Sequence, residues 1–212
     1  MRAFAGKPLV QHAMETAFNS GRFRQVFVTS DDPLVLALAE RGGAVPLPRP
    51  QSIASDDATM ADVVRHVDAS IREAGHDHGE AFALMQPTTP LRAETDIAGC
   101  VDRFEAGNWA SAASVCALDH PPQKALIIDG DRLEPLFGWG SLQANRQRLS
   151  PAFRQNGAIW IVRWTAFRES GQFVVAPAMP FVMDKVNSID IDTQQDFDEA
   201  EAVFRSRRTE SV

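Results

Sequence analysis

Residues 81–92 read Ala-Phe-Ala-Leu-Met-Gln-Pro-Thr-Thr-Pro-Leu-Arg, and this stretch decides the fold. The run 81–85 is continuously apolar, which is typical of a strand buried on both faces of a parallel sheet. It leads directly into a polar, proline-rich turn that begins at Gln86. Because ligands of open α/β sheets bind outside the carboxyl ends of the strands, the pattern predicts a functional loop at Gln86.

Strands and helices alternate on both sides of this stretch. Apolar runs predict strands at 26–29, 44–47, 112–117 and 157–163, and helical periodicity predicts helices between them, among others at about 59–74 and 94–106. This alternation indicates right-handed crossover units and therefore a Rossmann-like, doubly wound, mostly parallel α/β sheet. The regular order breaks between 119 and 153, where polar and glycine-rich segments predict an excursion away from the main sheet.

Composition limits the function classes. A chain of 212 residues with 44% hydrophobic and 23% charged residues suits one globular domain, 1–212. The net charge of -7 argues against a nucleic-acid-binding surface. Cys100 and Cys116 lie in apolar contexts without metal-ligand spacing, which favours reduced thiols in a cytoplasmic protein. No apolar run is long enough to span a membrane, and no signal-peptide core follows Met1.

Two carboxylates near the C-terminus form a candidate metal site. In residues 187–193, Asn-Ser-Ile-Asp-Ile-Asp-Thr, apolar residues alternate with acids, which predicts a short strand. On a strand, Asp190 and Asp192 share a face and lie roughly 7 Å apart, so they could bracket one divalent cation. Oxygen ligands favour Mg²⁺ or Mn²⁺ over zinc. The same pattern also suits an edge strand with a solvated acidic face, followed by Thr193 as the N-cap of a helix.

Short motifs along the whole chain occur in an order that resembles one known family. They lie at 6–9 (Gly-Lys-Pro-Leu), 30–32, 49–50, 84–92, 120–122, 124, 146–147, 156–159 (Asn-Gly-Ala-Ile) and 188–193. Together they resemble the acylneuraminate cytidylyltransferases, also called CMP-sialic acid synthetases. The related 3-deoxy-manno-octulosonate cytidylyltransferases share that fold and match the middle and C-terminal motifs less well.

The resemblance implies a fold of the nucleotide-diphospho-sugar transferase type and transfer of CMP from CTP to a nonulosonic acid, with release of pyrophosphate. In such a reaction the sugar's anomeric hydroxyl attacks the α-phosphorus, and metal and cationic groups stabilise the phosphoryl charge. By the resemblance, Asp190 and Asp192 hold the metal and form the catalytic group with Gln86. The implied nucleotide-binding residues are Arg49, Thr59 and Gln86, and the implied sugar-binding residues are Gln86, Lys124, Arg146, Arg154, Asn156 and Trp160.

Several of these residues also suit plain structural roles. Arg49 could be a solvated loop residue, Gln86 a turn cap and Trp160 part of the core. At 59–60 relatives usually carry two hydroxyl residues, and here only Thr59 keeps the hydroxyl. The family further implies a homodimer, in which a protruding dimerisation segment, at about 133–153 here, lends arginines to the neighbouring sugar site.

The N-terminus departs from the family pattern. Relatives precede the Gly-Lys-Pro-Leu motif with a strand and a basic, glycine-rich loop that holds the triphosphate, and Met1 falls beyond that loop. We therefore expect the 212-residue chain to be poorly stable and to have little or no turnover. Robust turnover by protein whose intact mass begins at Met1 would contradict this expectation.

Three interpretations of the function stay open at this point. The first is CMP transfer to a sialic-acid-like acid for cell-surface polysaccharides. The second is the same chemistry on legionaminic, pseudaminic or 3-deoxy-manno-octulosonic acid, since pocket shape decides the substrate. The third is a non-catalytic remnant that binds a nucleotide or a sugar.

Overall fold

A four-stranded sheet in the order β10-β6-β9-β5 forms the centre of the protein. Its strands are β5 (Ala81–Leu84), β6 (Ser111–Ala117), β9 (Phe153–Arg163) and β10 (Ala178–Val182). Three of them run in one direction, and β9 runs against them because it pairs antiparallel with both neighbours. The computed structural model describes residues 3–55 and 57–209, so the expectation about Met1 lies outside the described residues.

Three two-stranded units complete the β-structure of the described residues. They are the antiparallel pair β1 (Ala3–Phe4) and β2 (Lys7–Pro8), the parallel pair β3 (Phe27–Ser30) and β4 (Val45–Pro48), and the antiparallel pair β7 (Leu126–Asp129) and β8 (Arg132–Pro135). The pattern of residues 6–18 predicts a helix from the Gly-Lys-Pro-Leu motif onward with no strand before it, and the first hairpin shows that this is wrong at residues 3–8. Its turn residues, Ala5 and Gly6, both have positive φ, which a two-residue hairpin turn requires.

Seven α-helices surround the strands in the part of the chain that is described. They are α1 (Leu9–Asn19), α2 (Pro33–Arg41), α3 (Met60–Glu73), α4 (Glu94–Glu105), α5 (Gly138–Gln143), α6 (Trp164–Ser170) and α7 (Gln194–Thr209). Sequence signals explain their starts: the Asp32 side chain accepts a hydrogen bond from Leu34 N–H, and Thr59 and Asp62 form a capping box. None of these helices is long and apolar enough to cross a membrane.

Helices cover both faces of the central sheet. On one face, α4 packs against β6 and β9 through a cluster that includes Ile97, Cys100, Phe104, Ala112, Ile159 and Ile161. On the other face, α3 and α6 pack through Val64, Trp164 and Phe167 against Val162, with Phe82 and Leu84 partly buried beside them. Burying each large apolar side chain stabilises the fold by about 1.5–3 kcal/mol. The two covered faces confirm the doubly wound α/β arrangement.

β5 is an edge strand rather than the fully covered strand that its composition predicted. All of its residues, Ala81 to Leu84, are half-buried. In the described residues β5 pairs with β9 alone, and β3 and β4 form their own sheet. A strand without a ladder partner along one edge keeps part of its surface exposed, whatever its hydrophobicity.

Residues 126–152 leave the main sheet and are called the excursion below. They comprise the β7–β8 hairpin, α5 and a 3-10 turn at Arg146–Arg148. The hairpin strands pair only with each other among the described residues, so the excursion begins at Leu126, within the stretch 119–153 where the sequence predicted a departure from the main sheet. The dimerisation segment at about 133–153 stays a prediction.

Candidate active site

A bulge in β9 forms the centre of the candidate site. Ala113 pairs with Trp160 and Val115 pairs with Gln155, so residues 156–159 stand opposite the single residue Ser114. Within the bulge, Gly157 has a φ of +72°, a left-handed conformation that favours glycine. Bulges of this kind change the direction of side chains and are frequent next to active sites.

Side chains satisfy the backbone groups that the bulge removes from the ladder. Ser114 Oγ accepts a hydrogen bond from Ile159 N–H at 2.8 Å and donates to Asn156 Oδ1 at 2.6 Å. The Asn156 Oδ1 atom also accepts from Ala158 N–H at 3.3 Å, and Asn156 Nδ2 donates to Ser188 Oγ at 2.8 Å. Asn156 is 1% exposed and both ends of its amide are engaged inside the protein. It therefore holds the bulge in place, and its direct contact with a sugar stays a prediction.

The loop after β5 holds the bulge from its other side. Arg92 Nη1 donates to Ala158 O and to Thr89 Oγ1, and Thr89 Oγ1 lies 3.2 Å from Gln86 O and 3.5 Å from Gly157 O. Thr89 and Arg92 are fully buried. Buried donors and acceptors of this kind stabilise one geometry, because any other geometry leaves them unpaired.

Gly157 brings the predicted residues Gln86 and Asp190 together. A Cβ atom added to Gly157 would lie 2.9 Å from Asp190 Oδ2 and 3.6 Å from Gln86 Oε1. Both side chains therefore lie against the Cα of the same glycine, at the carboxyl end of β5. In the sequence, Gly157 is part of the motif at 156–159 but has no assigned role. Its positive φ, which explains why a glycine stands there, is visible only in the structure.

Residues 187–193 do not form the predicted strand. A 3-10 turn covers Val186–Ser188, and the residues after it join no sheet. Ser188 Oγ donates to Asp184 O at 2.7 Å and accepts from Asn156, which holds the turn in place. Ile191 N–H donates to Thr88 O at 2.8 Å, so the segment is attached to the loop after β5 instead of to a neighbouring strand.

The alternation that suggested the strand still determines how this segment packs. Ile189 and Ile191 pack against the buried cluster formed by Phe4, Leu91, Phe197 and Ala200. Asp190 lies between the two isoleucines and is half-buried, whereas Asp192 follows Ile191 and is exposed. Thr193 then caps α7 as predicted, since it exchanges hydrogen bonds with Asp196, and that contact lowers the pKa of Asp196.

The donors at this position fit a hard divalent cation. Asp190 Oδ1 is buried and has no hydrogen-bond partner in the described structure. A buried carboxylate oxygen without a donor suits a ligand of such a cation, so Asp190 fits its predicted role, whereas the absence of the predicted strand removes the argument that Asp192 shares its face. The residues present therefore fit Mg²⁺ or Mn²⁺, with substrate and water oxygens as the other ligands. No group of three or more acidic, His or Cys side chains suited to a metal occurs among the described residues.

The predicted nucleotide-binding residues Arg49 and Thr59 lie on separate segments. Arg49 follows β4, its Nη2 donates to Thr29 O at 3.0 Å, and its buried Nε has no partner in the described structure. Thr59 uses its hydroxyl to cap α3 with Asp62, and this hydrogen bond lowers the pKa of Asp62. Arg49 thus keeps a free donor, whereas the Thr59 hydroxyl is already engaged.

Cationic side chains gather around Asp119, just beyond the end of β6. Arg146 Nη2 donates to Asp119 O at 2.8 Å, and Lys185 forms an ion pair with the Asp119 carboxylate. The Lys185 hydrogen bond is the main cause that lowers the pKa of Asp119, and Arg154 adds to it electrostatically. The sequence analysis did not single out Lys185. Its position five residues before Asp190 could have suggested a cation near the acidic segment. Lys124 instead donates to carbonyls at the end of α5 and so ties down the excursion.

Trp160 lines a shallow pocket instead of lying in the core. The pocket has a volume of about 410 Å³ and is lined by Gln155, Trp160 and residues 171–174. Trp160 Nε1 donates to Gln155 Oε1 at 3.3 Å, and its ring lies 6.4 Å from that of Phe173. The sequence predicted Trp160 but missed Gln155 and Phe173, because nothing local connects residues 171–174 with β9.

Replacing Gly157 by alanine tests this geometry. We expect Gly157→Ala to lower the free energy of unfolding by about 1–2 kcal/mol through the left-handed backbone, and to displace Asp190. Gly21→Ala is the matched control, since Gly21 has φ +65° and no atom would meet its Cβ within 4 Å. Denaturant titration and calorimetric binding of Mn²⁺ check both effects. Unchanged Mn²⁺ binding in Gly157→Ala would contradict the assigned position of Asp190.

Comparison with known proteins identifies the family. A family model described as Cytidylyltransferase matches residues 1–125, more than half of the chain. An N-acylneuraminate cytidylyltransferase of Escherichia coli is 30% identical over 207 residues, which are 97% of this chain and 48% of that protein. A pseudaminic acid cytidylyltransferase of Campylobacter jejuni is 25% identical over 95% of this chain and 87% of its own length. A CMP-N,N'-diacetyllegionaminic acid synthase of Legionella pneumophila is 28% identical over 92% of this chain and 84% of its own length.

Solved structures show the same fold at low sequence identity. A CMP:2-keto-3-deoxy-manno-octonic acid synthetase complexed with CTP gives a TM-score of 0.67 at 14% identity, over 97% of this chain and 91% of that one. A 4-diphosphocytidyl-2C-methyl-D-erythritol synthase from Anaerococcus prevotii gives 0.65 at 10% identity, over 96% and 91%. The chain spans about half the length of the Escherichia coli and Streptococcus agalactiae relatives that it matches. The family model, the relatives and the fold agree, and the chain belongs to the cytidylyltransferase family.

Proposed function

We propose that the protein transfers CMP from CTP to a sialic-acid-like nonulosonic acid and releases pyrophosphate. The observation that carries the proposal is the contact of Gln86 and Asp190 with one glycine, Gly157, at the carboxyl end of β5. In a cytidylyltransferase, a hydrogen-bonding amide and a metal-ligating carboxylate at this position suit phosphoryl transfer between two bound substrates. Relatives that act on sialic, pseudaminic and legionaminic acids support the substrate class.

The reaction forms one bond and breaks one bond at the α-phosphorus. The anomeric oxygen of the acid bonds to the α-phosphorus, its proton is released, and the bond to the bridging oxygen of pyrophosphate breaks. Asp190 and Asp192 would hold Mg²⁺ or Mn²⁺, which when bound neutralises charge on the phosphoryl oxygens. Gln86 can donate from its amide to a substrate oxygen beside Asp190, and Arg49 can use its free Nε toward the nucleotide.

The cationic group around Asp119 suits the carboxylate of the acid. Arg146, Arg154 and Lys185 meet there, and an arginine can bind a carboxylate with two parallel hydrogen bonds. Trp160 and its pocket offer an apolar wall for the substituents of a nine-carbon sugar. Asn156 and Lys124 support this region through hydrogen bonds to Ser188 and to the excursion. The protein is also proposed to be cytoplasmic. Cys100 and Cys116 are buried free thiols, which suit a reducing compartment, and the reaction needs a supply of CTP.

Product formation with a panel of acids tests the function. Purified protein is incubated with CTP, Mg²⁺ and N-acetylneuraminic, legionaminic, pseudaminic or 3-deoxy-manno-octulosonic acid, and pyrophosphate and CMP-sugar are measured. We expect a CMP-sugar with one of the nonulosonic acids. Binding of CTP without product from any acid would favour the non-catalytic remnant.

Replacing Asp192 by asparagine tests the metal assignment. We expect Asp192→Asn to lower kcat by ~100-fold or more and to weaken Mn²⁺ binding in the presence of CTP, with an unchanged circular dichroism spectrum. Asp198→Asn is the control, because Asp198 is exposed on α7, where its carboxylate accepts a hydrogen bond from the neighbouring Gln194 side chain. Unchanged turnover and Mn²⁺ binding in Asp192→Asn would refute the assignment.

We also propose that the excursion joins two copies of the chain. Large apolar side chains are exposed on it in the single chain, namely Leu126, Ile127, Ile128, Leu133, Leu136, Phe137 and Trp139. A concentration of large exposed apolar side chains in one segment is typical of an interaction site. The occupant we favour is the same surface of a second copy, as the family resemblance implies, because most homo-oligomers pair identical surfaces about a twofold axis.

A charge placed in this surface tests the dimer. Ile128 is 79% exposed, and we expect Ile128→Asp to convert a dimer into a monomer, since a carboxylate cannot be buried there without a partner. Leu34→Asp is the matched control, because Leu34 is 66% exposed on α2, outside the excursion. Light scattering after size-exclusion chromatography gives the molar mass. A monomeric unmodified chain, or an unchanged dimer in Ile128→Asp, would contradict the proposal.

A further inference from the structure

Arg92 is a buried cation without a carboxylate partner in the described structure. It is 3% exposed, and its hydrogen bonds go to neutral oxygens: Ala158 O, Thr89 Oγ1 at 3.0 Å and Gln86 O at 3.4 Å. No ion pair involving it is formed among the described residues. The acid that interacts with it electrostatically is Asp96. The Asp96 carboxylate accepts hydrogen bonds from Ala93 N–H and from the Asn187 amide instead of from Arg92.

Burying this charge is unfavourable for the fold. Desolvation lowers the pKa of Arg92 to about 10, so the guanidinium is still protonated at neutral pH. A buried cation without a counter-charge contributes less to stability than a well-packed apolar side chain of similar size. Stability alone therefore does not explain why an arginine occupies position 92.

The acceptors of Arg92 explain its position. Ala158 O lies in the bulge of β9, next to Gly157, whereas Gln86 O belongs to the residue whose side chain faces Asp190. One guanidinium thus connects two of the three backbone segments that form the site, namely the loop after β5 and the bulge. Its Nη2 also donates to Gln86 O at 3.4 Å, so the planar head spans both segments.

We propose that Arg92 is a positioning residue, which fixes Gln86 relative to Gly157, the glycine against which Asp190 lies, by tying the loop after β5 to the bulge. The inference rests on the proposed function for its effect on turnover. It differs from the roles assigned above because the hydrogen bonds of Arg92 go to oxygens of the protein itself. A lysine keeps the charge but lacks the planar fork that reaches both carbonyl groups, and a methionine keeps the volume without any donor.

Two substitutions separate positioning from general stability. We expect kcat to fall about 10- to 100-fold in Arg92→Lys and further in Arg92→Met, with the KM for CTP changed less than about threefold. Hydrogen exchange should accelerate in peptides that cover 86–92 and 156–159, because the amides there lose the geometry that Arg92 maintains. Arg168→Lys is the matched control: its guanidinium makes a two-bond pair with Asp68, which connects α6 to α3. It should lose stability without a change in kcat.

The outcomes distinguish this inference from the proposed function. Absence of any CMP-sugar from the unmodified protein would refute the proposed function, while hydrogen exchange would still test whether Arg92 ties the two segments together. Normal exchange in both peptides together with an unchanged kcat in Arg92→Lys would overturn the inference. If Arg92→Met does not fold, Arg92→Lys alone decides. Equal loss of kcat in Arg168→Lys and Arg92→Lys would also overturn it, because the effect would then be one of stability.

Discussion

The hydrogen bonds that satisfy the bulge of β9 are the constraint on which the rest of the site depends. A backbone group that leaves a β-ladder inside a protein needs another partner. Here Ser114 and Asn156 provide partners from the sheet, and Arg92 provides one from the loop after β5. Because these donors and acceptors are buried, loss of one leaves another unpaired. The bulge therefore has one stable geometry, and Gly157 lies at its centre.

This geometry connects three parts of the chain that are far apart in sequence. Asn156 binds Ser188 at the start of the acidic segment, and Ile191 N–H binds Thr88 O in the loop after β5. The acidic residues need no strand to be held in place, because Ile189 and Ile191 pack into a buried cluster while Asp190 lies against Gly157. A buried carboxylate oxygen without a donor and a buried guanidinium without an acid lie on either side of one bulge. Both are unfavourable for stability alone, which is common where a protein maintains a functional geometry.

Much of this could be predicted from the sequence, where the physical signal was local. Helical periodicity and caps such as Thr59 and Thr193 located α3 and α7, and the apolar run at 81–85 located β5 and the loop that follows it. The misses have a common cause. The 187–193 alternation reflects packing against a cluster and not pairing with a strand, and the exposure of β5 depends on which strand lies beside it. Lys185 and Phe173 escaped notice because their partners, Asp119 and Trp160, are distant in sequence.

The sequence by itself determined the α/β class, the order of most elements, the family resemblance and the residue types available for chemistry. Periodicity, caps and short motifs are properties of neighbouring residues, so a linear chain displays them directly. The tertiary structure alone decided that Gln86 and Asp190 meet at Gly157, that Asn156 is saturated inside the protein, and that Arg92 joins two segments. These facts depend on the bulge, and a bulge arises from the register between β6 and β9, which no local pattern specifies.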